Sequence, residues 1–132
     1  KGAILVRTEN FHLVKKECDM LRGITQSRSI FQKLLGFIKY KLVKTRLLDQ
    51  RDRFIVQRIN ETLDPKETGI LFIGASHGVK NLLAQDIQIK EVKEAEKVRE
   101  YQQLLPFYHK HKQRFEELGR YLISKVEMEK AK

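Results

Sequence analysis

The apolar and polar positions of the chain lay out helical stretches around a single all-apolar run. Ala3 to Val6 is a short apolar segment that suits an edge strand or an extended lead-in. Asn10 or Thr8 then offers an oxygen to the free N–H groups of a helix start. Phe11, Val14, Cys18 and Leu21 follow at spacings of three and four, which predicts a helix to about Arg22. Gly23 is expected to stop it. A long helical pattern runs from about Ser27 to Leu47, its face marked by Ile30, Leu34, Ile38 or Phe37, Leu42 and Arg46. Gly36 weakens that helix by about 1 kcal/mol relative to alanine. Asp49 can cap the next stretch, Gln50 to Leu63, with Phe54 or Ile55, Ile59 and Leu63 as its core face. The two stretches are either separate helices or one bent helix.

Asp64-Pro65-Lys66-Glu67-Thr68-Gly69 reads as a turn, with proline fixing φ and glycine resetting direction. Ile70 to Ile73 is apolar at every position, as in a strand of a parallel sheet covered on both faces. Gly74, Ala75, Ser76 and Gly78 make a turn of small residues at its end, and Val79 to Ala84 suits a short helix. Ile87, Ile89 and Val92 interleave with Gln88 and Lys90, which predicts a second strand over 87–91. The residues between, 74–86, are about the minimum for a parallel crossover. The expected fold class is therefore α/β and helix-rich, with a small parallel sheet of strands near 70–73 and 87–91. Two strands do not make a stable sheet. A third must come from 3–6, from a preceding part of the protein or from a second copy. Beyond the sheet, the pattern predicts a helix over Lys93 to Leu105, a break at Pro106, and a helix from Phe107 to about Met128. The face of this last helix is His111, Phe115, Leu118, Leu122 and Val126, and Gly119 allows a neighbour to pack closely.

Length changes this picture little: 132 residues suit one domain, 1–132. The chain opens on a lysine and is short of strands, which together read as a C-terminal fragment of a longer protein. No run of about 18 apolar residues predicts a membrane span. The lone Cys18 falls on a helical stripe, reads as a small buried hydrophobe, and fits a reducing, cytoplasmic setting.

Charge changes it more. The net charge is +10, which favours phosphates, an acidic partner or an anionic membrane surface. Most of it lies between Arg28 and Arg58, where nine cations face only Asp49 and Asp52. Lys33, Lys39, Lys41, Lys44 and Arg46 are the candidate contacts for nucleic acid, or for an acidic protein partner. No helix-turn-helix, zinc-finger or RNA-binding sheet signature accompanies them.

The candidate chemistry centres on His77, expected at the C-terminal end of the first strand, where α/β folds place their ligands. A neutral imidazole can act as a base, bind a metal or polarise a carbonyl, and it needs a partner. Asp52, Arg51 and Glu9 are the candidates. Ser76 adjoins His77 without a nucleophile-elbow motif, and no phosphate-loop, dinucleotide or zinc-protease motif occurs. The candidate ligand-binding residues are Arg51, Asp52, Gly74, Ser76 and His77, with His77 and Asp52 as the candidate catalytic pair and His77 as the candidate ligand of a divalent metal.

Arg51-Asp52-Arg53-Phe54-Ile55-Val56-Gln57-Arg58-Ile59-Asn60, then Gly74-Ala75-Ser76-His77, then Leu82 or Leu83, resembles the C-terminal portion of the TraB/PrgY, Tiki and ChaN-like superfamily. Arg-Ile-Asn-x-Thr-Leu at 58–63, followed by Gly-Ile-Leu-Phe-Ile-Gly-Ala-x-His at 69–77, looks closer still to a group of uncharacterised prokaryotic proteins. The resemblance spans roughly Arg51 to Val92. It implies an α/β fold with the histidine at a ligand-binding or active cleft. Tiki-like members are metal-dependent proteases and ChaN-like members bind haem. Their first Gly-x-x-His or acidic motif, in the N-terminal half, has no counterpart in this chain. The functional expectation is a ligand or metal site at Gly74–His77 with hydrolase-like chemistry, Arg51 serving as anion clamp and Asp52 as orienter or ligand. The alternative is a basic helical binding module.

Overall fold

A computed structural model describes residues 2–126. Among them are four α-helices and two short 3-10 turns, and no strand. The contacts divide the chain into two compact units, Lys1–Phe72 with His77–Ile87 and Ile73–Ser76 with Gln88–Lys132.

The first unit is a helical hairpin. Helix α1, Phe11–Gln26, starts where Asn10 accepts from the N–H groups of His12 and Leu13. It passes through Gly23 and ends where the Ser27 hydroxyl donates to the Gly23 carbonyl and that of Thr25 to the Arg22 carbonyl. A glycine costs a helix about 1 kcal/mol, too little to end one packed along its length. Helix α2, Ile30–Thr62, is one continuous helix of 33 residues.

The faces that meet are not the most apolar ones. On α1 the inward positions are Leu13, Val14, Glu17, Met20 and Ile24, while Cys18 and Phe11 are exposed. On α2 they are Gly36, Tyr40, Val43, Leu47 and Arg51. A Cβ at Gly36 would stand 2.9 Å from Ile24 Cγ1, so this glycine is the point of close approach between the helices. The expected face of Ile30, Leu34, Ile38 or Phe37, Leu42 and Arg46 is exposed instead. The reason is polar. Arg51 donates from Nη2 and Nε to Glu9 (2.8 and 3.2 Å) and from Nη1 to Glu17 (2.9 Å), and the Tyr40 hydroxyl donates to Glu17 at 2.8 Å. Those bonds fix the rotation of α2 against α1, and charge-assisted bonds of this kind are among the stronger ones a helix pair can make. They also raise the pKa of Arg51 above its ordinary value, the bond to Glu9 foremost.

The α/β expectation is overturned. The stretches expected as strands, 3–6, 70–73 and 87–91, carry no sheet ladder. Ile70 and Phe72 are 81% and 93% exposed, and Ile4 and Leu5 are almost wholly so. An isolated four-residue apolar run has no hydrogen-bond partner of its own, and none of the three supplies one to another. The α/β fold implied by the family resemblance is equally absent from the described residues. The turn before the run does form, with Glu67 N–H donating to the Asp64 carbonyl at 3.0 Å. Its left-handed residue is Lys66, at φ 72°, not the glycine. After His77 the chain makes a 3-10 turn, Val79–Asn81, whose buried Val79 packs in the first unit. Leu47 and Ile55 of α2 are buried with it.

The second unit is a smaller helical pair. Helix α3, Ala95–Leu104, runs into a 3-10 turn at Leu105–Phe107 that holds Pro106, and α4, Lys112–Ile123, follows. Leu118 is buried, Tyr101 stacks on Phe115 with centroids 4.5 Å apart, and Gly119 lies against Tyr101. His111 stands at the N-cap position of α4 without a side-chain capping bond and is exposed; Met128 lies outside the described residues. Lys97 pairs with Glu94 at 2.6 Å, whereas Arg99 donates to the Ala75 carbonyl at 2.8 Å instead of pairing along its helix with Glu96.

No helix among the described residues is long and apolar enough to cross a membrane.

Candidate functional site

The second half of α2 carries one buried charged residue. Asp52 is 3% exposed, one helical turn from the buried Ile55. An ionised carboxylate that deep in a fold must have its oxygens satisfied. Here the 3-10 turn after His77 does so. Its buried Val79 anchors the segment, and the two residues before it present their polar groups to Asp52. His77 Nδ1 bonds to Asp52 Oδ1, and Gly78 N–H donates to Oδ2 at 2.7 Å. The side chains of His77 and Asp52 keep 9% and 5% of their exposure. At Gly78 a Cβ would lie 3.5 Å from Oδ2, an ordinary contact, so the backbone N–H of that residue serves the site, not its missing side chain.

The pairing decides the chemistry of the imidazole. With Nδ1 against a carboxylate, the ring proton sits on Nδ1 and the lone pair of the neutral ring is left on Nε2. Nε2 is the atom able to take a proton, accept a hydrogen bond or bind a cation. Each carboxylate oxygen is engaged by this segment, one by the ring and one by the Gly78 N–H. Among the described residues no cluster of three or more His, Cys, Asp or Glu side chains could hold a metal ion. His77 and an already engaged Asp52 are too short a donor set for a divalent cation.

Of the side chains weighed as company for His77, the structure joins Asp52 to it and gives Arg51 and Glu9 to each other. Arg51 is occupied by two carboxylates of the α1 side and is not disposed as an anion clamp. Gly74 and Ser76 are exposed and group with the second unit, where Arg99 holds the Ala75 carbonyl between them. Lys33, Lys39, Lys41, Lys44 and Arg46 all lie exposed on the first half of α2.

Two parts of the site had no signal in the sequence. Val79 is buried at the start of a 3-10 turn, directly after a glycine-rich turn, and nothing in the pattern marks it as buried. The bond from the Gly78 N–H depends on a backbone direction that no residue pattern records. In the same unit, α2 and Leu82 border an open depression of about 450 Å³, lined by Arg53, Val56, Gln57, Asn60, Glu61 and Leu82. Gln57 and Arg58 both donate to Glu61 along one side of the helix, each at 2.7 Å. A smaller depression of about 280 Å³, lined by residues 110–114 and Glu117, belongs to the start of α4 in the second unit.

No family model, no curated protein and no solved structure matches this chain.

Proposed function

We propose that the protein is a ligand-binding domain that acts on its ligand by hydrolase-like acid–base chemistry, with His77 Nε2 as the reactive atom. The observation that supports it is the buried Asp52 carboxylate, which takes Nδ1 of His77 on one oxygen and the next backbone N–H on the other. Holding an imidazole by Nδ1 on a rigid helix is how a base is kept in one tautomer and one orientation. Asp52 is the positioning residue and His77 the base that draws a proton from a hydroxyl or a water. Arg53, Gln57 and Asn60, which line an open depression along the same helix as Asp52, supply polar groups for a ligand of modest size. The resemblance of the Arg51–Asn60 and Gly74–His77 stretches to the TraB/PrgY, Tiki and ChaN-like superfamily adds support of a separate kind, since there too a histidine of this motif is read as the site.

The test combines turnover with spectroscopy. Hydrolysis of a small activated ester is followed against pH for the protein and for His77→Gln and Asp52→Asn. The expected result is loss of the pH-dependent turnover in His77→Gln and a fall of about 100-fold or more in Asp52→Asn, whose amide leaves the wrong tautomer in place. Nitrogen NMR of the ring should show the proton on Nδ1 in the unaltered protein. Equal turnover in all three proteins, or a ring protonated on Nε2, sinks the proposal.

A further inference from the structure

The first half of α2 exposes more large apolar surface than a folded helix ordinarily leaves in water. Ile30, Phe31, Leu34, Leu35, Phe37, Ile38 and Leu42 are all between 48% and 85% exposed. At about 100° per residue these seven side chains cover an arc of roughly 160°, opposite the Gly36–Tyr40–Val43–Leu47 face that packs on α1. Lys33 and Lys44 border one edge of the arc, and Lys39 and Arg46 border the other. Lys41 lies within it, its Nζ 5.7 Å from the centre of the Phe37 ring. The stretch Gly23 to Leu48 contains no Asp or Glu, while Arg28, Lys33, Lys39, Lys41, Lys44 and Arg46 make six cations.

We propose that this face seats on an anionic phospholipid surface, with α2 lying along the headgroup boundary. The occupant must be apolar at its centre and negative at both margins. A second copy would bring six cations against six and repel. Nucleic acid answers the lysines and offers nothing to Ile30, Leu34, Ile38 and Leu42, because its outer surface is phosphate. A bilayer interface provides both: acyl chains under the apolar arc and phosphates at the level reached by lysines whose stems lie along it. The ridge is convex and about 20 Å long, so it needs no preformed groove in its partner. No helix of the described residues spans a bilayer, so the association is peripheral.

The experiment is co-sedimentation of the full chain with vesicles of phosphatidylcholine alone, or of phosphatidylcholine with about one-third phosphatidylserine. The protein is expected to partition onto the anionic vesicles and stay in solution with the neutral ones. The double variant Leu34→Ser with Ile38→Ser should weaken partitioning by roughly ten-fold or more. Lys39→Gln with Lys41→Gln and Lys44→Gln should weaken it by roughly 100-fold at low salt, at about five-fold per cation. All these positions are exposed, and far-UV circular dichroism should show the helix content of each variant unchanged. Absence of partitioning overturns the proposal. So does partitioning that the serine pair leaves intact, since that is plain polycation adsorption. Tighter binding to an oligonucleotide, insensitive to the serine pair, assigns the face to nucleic acid instead. A self-associated species dispersed by the serine pair assigns it to a second copy.

Discussion

Helix α2 is two helices in physical terms, though no break divides it. Its second half buries Leu47, Asp52 and Ile55 and carries the imidazole clip. Its first half touches α1 along a narrow strip centred on Gly36 and leaves seven large apolar side chains in solvent. Both halves carry apolar side chains at helical spacing, and the first half carries the richer stripe, so hydrophobic pattern did not choose the buried face. The choice came from polar anchors. Arg51 with Glu9 and Glu17, and Asp52 with His77 and Gly78, bind the second half to its surroundings. Once those bonds set the rotation of the helix, the richer apolar stripe of the first half turned away from α1.

The comparison breaks most sharply at Asp52. Asp52→Ala leaves the His77 ring and the Gly78 N–H without their buried acceptor, and should cost about 3–5 kcal/mol in chemical denaturation. A cost under about 1 kcal/mol would mean that the clip does not anchor the second half.

A paired substitution comes next. Leu47→Ala should cost about 3 kcal/mol, whereas Leu42→Ala, five positions earlier on the same helix, should stay within about 0.5 kcal/mol. Equal losses at the two sites would show that the first half is covered in solution. At the point of contact between the helices, Gly36→Val should cost about 1–3 kcal/mol, because the added side chain meets Ile24. An unchanged denaturation midpoint would separate α1 from that strip of α2.

The smallest expected effect concerns pH. Burial, followed by the hydrogen bond to Glu17, raises the pKa of Tyr40 above its ordinary value of 10.0. Between the unfolded and the raised folded value the native state binds more protons, so this contribution is whole below about pH 10 and is lost as pH rises through the folded value. The stability difference between the protein and Tyr40→Phe, measured in urea from about pH 8 to 11, should shrink at the alkaline end. A difference independent of pH would place Tyr40 outside the Glu17–Arg51 network.

Much of the local structure was legible before any coordinates. Asn10 caps α1, Pro106 interrupts the later helices and Pro65 sits in a turn. Each of these depends on residues a few positions apart, and such interactions carry their own pattern. The strands were not legible as absent. An all-apolar run such as Ile70–Ile73 is identical in sequence whether or not a neighbouring strand exists to pair with it, and pairing is the nonlocal part of a sheet. The candidate site was legible in its members and not in its arrangement. His77 and Asp52 stood out as residue types in a pattern, but Arg51 and Glu9 stood beside them on equal terms.

By itself the sequence determined that the chain is helix-rich, where α1 starts and where Pro106 breaks the later helices, how the charge is distributed, and which few side chains have chemistry to offer. Those properties follow from short-range capping, propensity and composition. Tertiary structure alone decided which face of α2 is buried, because that depended on Arg51 reaching Glu9 across 42 positions and on Gly36 admitting Ile24. It also decided that Asp52, 25 positions from His77, holds the ring by Nδ1. Contacts at that separation are made only when the chain folds back on itself, and no local pattern encodes the distance.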